Sequence, residues 1–266
     1  MNIWTEKSIE LANQSNYLDL LYKIYPMSVN LRREISNDDK KEIKNYFDNM
    51  DSKNLLKILL KQEIFPIKDS YIAYLRKDKT AIERNPNIVN RITGMLYEMG
   101  LNEIFDKVTV PKETNRQIGP LFKKWINLRT LGCEVTDVEE KFINSQENIV
   151  FNSTDMIMKN LAKKYFGYSR EKGLDFIAKF NNTYILAEAK FLTDFGGHQN
   201  AQFDDAISTM KSSLSFSKYN VKLISILDGV LYIKNENKMH TRIINEFEDD
   251  DVIISAVLLR DYLYSL

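Results

Sequence analysis

The chain has 266 residues, 44% of them hydrophobic and 28% charged, with 9 Gly and 5 Pro. That is enough to bury a large core in one domain or two, and too little Gly and Pro for a long flexible linker. Its 37 basic and 37 acidic side chains cancel, which argues against coating nucleic acid by net charge alone and leaves room for a local basic cleft. The single cysteine, Cys133, excludes an internal disulfide and a four-cysteine zinc site, and reads as a small buried apolar residue. No basic stretch leads into an apolar one near Met1, and the apolar run Val252 to Leu259 is too short to span a bilayer. The expectation is a cytoplasmic protein with no membrane partner.

In chain order, the first half reads as helices. Apolar residues at three- and four-residue intervals predict one helix over Ser8 to Tyr25. Asn37-Asp38-Asp39 offers a cap and early acids for a second, and Asp51-Ser52 caps a third that must end before Pro66. Further helices are predicted over Ser70 to Arg76, Asn87 to Met99, Ile118 to Leu128 and Ser153 to Lys164. From Gly173 the period switches to two and a hairpin follows. After it come a helix near Asn200 to Ser213, a strand at Val221 to Leu227 and a short one at Val252 to Ala256. The order indicates an α/β fold: a small mixed β-sheet flanked by helices, with a largely helical N-terminal half. Residues 1–110 are expected to be a mainly helical region, and 111–266 the α/β core.

The hairpin carries the chemistry. Two β-rich runs flank Asn181-Asn182, a residue type that tolerates the positive φ of a tight turn. With a two-residue loop Phe180 faces Thr183, and Asp175 then lies opposite Glu188, with Cβ atoms about 5 Å apart. Lys190, two residues beyond Glu188, points to the same side. Leu174, Phe176, Ala178 and Phe180 align with Ala189, Ala187, Ile185 and Thr183 into an apolar opposite face, and Ile177 and Leu186 pair just inward of the acids. Both faces are expected to be buried, so the carboxylates need a compensating cation. Asp and Glu oxygens suit Mg2+, the Ala189 carbonyl can add a ligand, and a neighbouring ammonium can orient or activate a water. The alternative is a cross-strand charge cluster with no chemistry, which must then explain why like charges face each other.

Asp175, twelve residues, then Glu188-Ala189-Lys190 resembles the PD-(D/E)xK nuclease motif, with Leu174 in the place of its proline. The whole chain resembles a type II restriction endonuclease, most visibly over Ala187 to Phe203, and also at Arg116 to Trp125 and Tyr71 to Arg91. The resemblance implies Mg2+-dependent hydrolysis of double-stranded DNA at a specific sequence. Asp175, Glu188 and the Ala189 carbonyl would bind the metal and Lys190 would act on the water. It also implies a homodimer on a twofold-symmetric site and a cognate DNA methyltransferase. A repair or recombination nuclease of the same fold and a noncatalytic DNA-binding protein remain open as alternatives.

Candidate DNA contacts fall in three places. Arg76, Lys77, Lys79, Arg84, Asn85, Asn87 and Arg91 interleave groups that can read bases, with an ordinary solvated helix as the plain alternative. Arg116, Lys123 and Lys124 can hold phosphates, whereas Phe122 and Trp125 in the same helix read as core. His198, Gln199, Asn200 and Gln202 follow the Gly196-Gly197 turn and suit either DNA or a helix start. Glu139, Glu140 and Glu171 are candidate outer carboxylates for a second metal, and no HExxH pair exists for zinc.

Overall fold

The computed structural model describes residues 1–27, 32–111, 115–215, 217–234 and 237–266, the side chains of 115 and 116 excepted. The chain divides into two compact units, one formed by Met1–Met27 with Thr114–Leu266 and one by Ser28–Glu113. No helix among the described residues is long and apolar enough to cross a membrane.

The first unit is built on a mixed sheet. Among the described residues six strands pair in chain order: β1 (Glu134–Thr136), β2 (Ile149–Phe151), β3 (Phe176–Phe180), β4 (Thr183–Leu192), β5 (Asn220–Gly229) and β6 (Ile253–Ile254). The β2–β3 and β3–β4 pairs are antiparallel, while the β1–β2, β4–β5 and β5–β6 pairs are parallel. Parallel neighbours need crossovers, and between β4 and β5 the helix Gly197–Met210 supplies one. The fold is therefore the expected α/β arrangement of a mixed sheet with flanking helices.

The hairpin register is the one the two-residue loop dictates: Phe180 pairs with Thr183 and Phe176 with Ala187. Asn181 and Asn182 take φ of 46° and 65°, the left-handed pair that a type I′ turn requires. Phe176, Ala178, Phe180, Ile185 and Ala187 join one buried cluster, and Ile177, Tyr184 and Leu186 another on the opposite face. Leu174 was expected with the first group but packs in the second, because strand alternation begins only at Phe176.

The predicted helix over Ser8 to Tyr25 is two helices, Ile3–Ala12 and Tyr17–Ile24. Asn13 ends the first by bonding its side-chain amide to the Ile9 carbonyl at 2.6 Å, the local competition with backbone that asparagine favours. The first of these helices guards the edge strand. Thr5 Oγ1 accepts from the Ile253 amide at 3.2 Å and Ser8 Oγ from the Ser255 amide at 3.0 Å, so β6 offers fewer free amides to another chain.

The second unit is helical, with helices Asn37–Asp48, Ser52–Lys61, Tyr71–Lys77, Pro86–Met99 and Leu101–Val108 around their own core of Ile43, Leu55, Leu59, Ile92, Leu96 and Ile104. Ser36, not Asn37, caps its first helix by accepting from the Asp39 amide, and Asp51 caps the next by accepting from Asn54. The Arg33 amide donates to the Thr109 carbonyl at 2.9 Å, which draws together the two ends of this unit.

Candidate active site

Asp175 lies one residue before β3 and donates its amide at 3.0 Å to the carbonyl of Ala187, the partner of Phe176. The side chain turns back to accept from the Ala189 amide at 3.0 Å and from Lys190 Nζ at 3.1 Å, both on Oδ2. Lys190 Nζ also reaches Glu188 Oε1 at 2.8 Å. One ammonium thus joins the two carboxylates, and the sequence-predicted triad is gathered in one place.

Glu188 is 1% exposed, and a buried carboxylate persists only with compensation. Its Oε2 accepts from the Thr209 hydroxyl at 2.9 Å, and that hydroxyl in turn accepts from Arg170 Nη1 at 2.9 Å. Lys172 adds a second ammonium on Oε1 and simultaneously pairs with Asp205. Burial pushes the Glu188 carboxyl up, but Lys190 and Lys172 outweigh it and hold it below the usual carboxylate range. For Lys190, burial is likewise outweighed by Asp175 and Glu188, which raise it and keep the ammonium charged. Burial wins at Lys172, which is lowered despite Glu188.

The residues fit a hard divalent cation. Two carboxylates are the usual protein share of a Mg2+ site that keeps several waters and takes phosphate oxygens. Glu188 Oε1 is buried and already draws both ammonium groups into ion-pair range, so positive charge is favoured at this oxygen. Among the described residues no group of three His, Cys, Asp or Glu side chains has metal-binding spacing. The remaining ligands would come from backbone, such as the Ala189 carbonyl, and from solvent.

Lys172, Asp205, Thr209 and Arg170 were not singled out from the sequence. Lys172 stands three positions before Asp175 and its proximity was readable. Asp205 and Thr209 sit one turn apart on Gly197–Met210, and only the packing of that helix on β4 and β5 links them to Glu188. The outer carboxylates expected from sequence go elsewhere. Glu139 accepts from Lys164 and Tyr165, Glu171 pairs with Lys159 and Lys163, and Glu140 is exposed. The carboxylate that joins the pair is Asp205.

The candidate DNA contacts are of two kinds. In the helical unit, Lys77, Lys79 and Asn87 are exposed. Arg76 donates to the Gln62 carbonyl at 2.7 Å, Arg84 pairs with Asp78 at 2.5 Å, and Asn85 donates to the Ala81 carbonyl at 2.8 Å. Arg91 pairs with Asp69 at 2.7 Å and lies over the Tyr71 ring. In the sheet unit, Lys124 is exposed, and Lys123 binds Asp155 and the Ser153 carbonyl. The Arg116 side chain lies outside the described residues. His198 is exposed and Gln202 partly buried, and the two touch each other at 3.0 Å. Asn200 donates to the Phe195 and Gly196 carbonyls, and Gln199 is buried against Thr193.

A mixed sheet with flanking helices, carrying this cluster on its central strands, has the architecture of a restriction-endonuclease-like α/β protein. A model of the Tsp45I type II restriction enzyme family matches residues 2–266, and the chain belongs to that family. No curated protein and no solved structure matches it. Membership makes the protein a site-specific restriction nuclease with DNA as its substrate.

Proposed function

We propose that the protein hydrolyses phosphodiester bonds of double-stranded DNA at a short specific sequence with Mg2+, through a PD-(D/E)xK-type centre of Asp175, Glu188 and Lys190. The observation that carries this reading is a pair of carboxylates at the hairpin's end, Glu188 buried and Asp175 partly so, bridged by one ammonium. A fold gains nothing from opposed acids unless they serve a cation or a reaction. When bound, Mg2+ would supply Lewis acidity at the phosphoryl oxygens and a water of lowered pKa. Asp175 and Glu188 would hold it, with the Ala189 carbonyl as a backbone ligand. Lys190, charged, donates hydrogen bonds that orient the attacking water and offset the negative charge developing at phosphorus. Thr209 keeps Glu188 in its rotamer.

We assign DNA recognition and dimerisation to the helical residues 1–110 and the chemistry to 111–266. The protein acts as a homodimer on a twofold-symmetric site, beside a methyltransferase of the same specificity. Exposed Lys77, Lys79, Asn87, Lys124 and His198 are the DNA contacts that this reading favours, because their polar atoms face solvent.

Digestion of a large, sequence-diverse, unmethylated DNA with and without Mg2+ tests the proposal. Discrete fragments that require the metal are expected, with cleavage falling about 10²–10³-fold or more in Lys190→Ala and Glu188→Ala. A metal-dependent smear would overturn the sequence specificity. Undiminished cleavage by folded Glu188→Ala would overturn the assignment of the site.

A further inference from the structure

Glu188 Oε1 carries two ammonium groups, and the two are held differently. Lys190 belongs to β4 and is committed on its other side to Asp175 Oδ2 at 3.1 Å. Lys172 lies outside any strand or helix, between the helix Asp155–Phe166 and β3, and its side chain is 27% exposed. Its second partner, Asp205, is a half-exposed carboxylate on a different element, Gly197–Met210. The other Asp205 oxygen has Arg170 Nη2 at the long distance of 3.7 Å. Lys172 is thus poised between a buried carboxylate and one open to solvent, on a flexible four-carbon stem.

We infer that Lys172 is a displaceable internal counter-ion: it neutralises Glu188 in the metal-free protein and withdraws to Asp205 when a divalent cation binds. The inference rests on the proposed metal role of Asp175 and Glu188. An ammonium and a divalent cation on one carboxylate oxygen repel strongly in a site of low dielectric. Glu188 therefore serves one of them fully only when the other leaves. Lys172 needs no new partner for this, because Asp205 already touches it. Lys190 has no such exit, since its other carboxylate partner among the described residues is Asp175, itself part of the site. Asp205 is accordingly a positioning residue that acts on the metal through Lys172. This explains why a basic group stands beside acids that are to receive a cation. Without it, two opposed carboxylates would stay uncompensated in an almost closed site until metal arrived.

The test is calorimetric titration of Mn2+ into the DNA-free protein, a readout independent of cleavage. Lys172→Met should bind Mn2+ on the order of tenfold more tightly than the unaltered protein, the size typical of outer groups around metal ligands. Asp205→Asn should bind it on the order of tenfold more weakly, because the ammonium then stays on Glu188. The double variant should bind like Lys172→Met, since Asp205 has no role once the ammonium is gone. Equal or weaker binding by Lys172→Met overturns the inference, as does a double variant that loses affinity relative to Lys172→Met. The latter result would make Asp205 a direct ligand. If Lys172→Met does not fold, Asp205→Asn still decides, because unchanged or tighter binding there is incompatible with the exchange. Glu188→Ala separates the two levels. Mn2+ binding that ignores this substitution removes the metal assignment itself, whereas binding that needs Glu188 but ignores Lys172 removes only the exchange.

Discussion

Asp228, at the end of β5, is fully buried and accepts four hydrogen bonds: from Tyr17 at 3.3 Å, Tyr25 at 3.0 Å, Ser255 Oγ at 2.5 Å and the Ala256 amide at 3.3 Å. Burial nevertheless dominates, and pushes its carboxyl up to about 6. An unfolded aspartate titrates near 3.9. The folded state therefore binds the proton more tightly, and the stability this contributes is full below about pH 4 and lost as pH rises through about 6. Two pKa units correspond to about 3 kcal/mol. Asp228→Asn removes the titration while keeping the shape. Whatever constant offset the amide introduces, the variant should gain most of this, about 2 kcal/mol, relative to the native sequence between pH 4 and pH 7, the unfolded aspartate being half ionised already at pH 4. Urea unfolding of both proteins at several pH values, followed by tryptophan fluorescence, measures this. Both tryptophans, Trp4 and Trp125, lie in the sheet unit with Asp228, so the helical unit does not blur the signal. A stability difference that stays flat from pH 4 to pH 7, or moves the other way, would refute the reasoning. The result bears on the site, because Asp228 ties the helix Tyr17–Ile24 to the strand residue beside Phe191, the neighbour of Lys190.

Three further substitutions probe the frame around the site. Thr209→Val removes the hydroxyl that Glu188 Oε2 accepts from and should cost about 1.5–3 kcal/mol; tryptophan-detected unfolding with no loss would remove Thr209 as a support. Gly229→Ala places a Cβ 2.0 Å from the Leu192 carbonyl at φ of +102°, so a loss of at least about 1–3 kcal/mol is expected, and a thermal midpoint equal to the native one would contradict that close approach. Asn182→Val puts a β-branched residue at φ of 65° and should cost about 1–2 kcal/mol, measured by the same unfolding; an unchanged stability would mean that the turn is not type I′.

What the sequence made legible was local. Asn181-Asn182 between alternating apolar runs set the turn, the turn set the register from Phe180–Thr183 out to Phe176–Ala187, and Asp175 and Glu188 follow just beyond it. Nothing comparable announced β1 or β2, each three residues long, because a period of two needs more repeats to be read. The break at Asn13 to Asn16 escaped for a related reason: apolar spacing carries across it while the caps do not. Least legible were the partners from distant segments. Asp228 gathers groups more than 200 positions away, and Thr209 reaches Glu188 across 21. Side chains of these types are common, and only the completed sheet selects which of them meet.

This division explains why the motif alone understates the site. A hairpin can present Asp175, Glu188 and Lys190, but their charges do not balance. The two carboxylates face one ammonium, and one of them is almost wholly removed from water. The balance comes from Lys172 on the segment leading into β3 and from Arg170 through Thr209. Closing the site therefore requires the helix Gly197–Met210 to pack on β4 and β5 before Glu188 is stable as a buried anion. Only the folded sheet unit, not the isolated hairpin, can offer a cation an already dehydrated carboxylate. Such a preorganised anion costs little further reorganisation when charge develops on a bound phosphate.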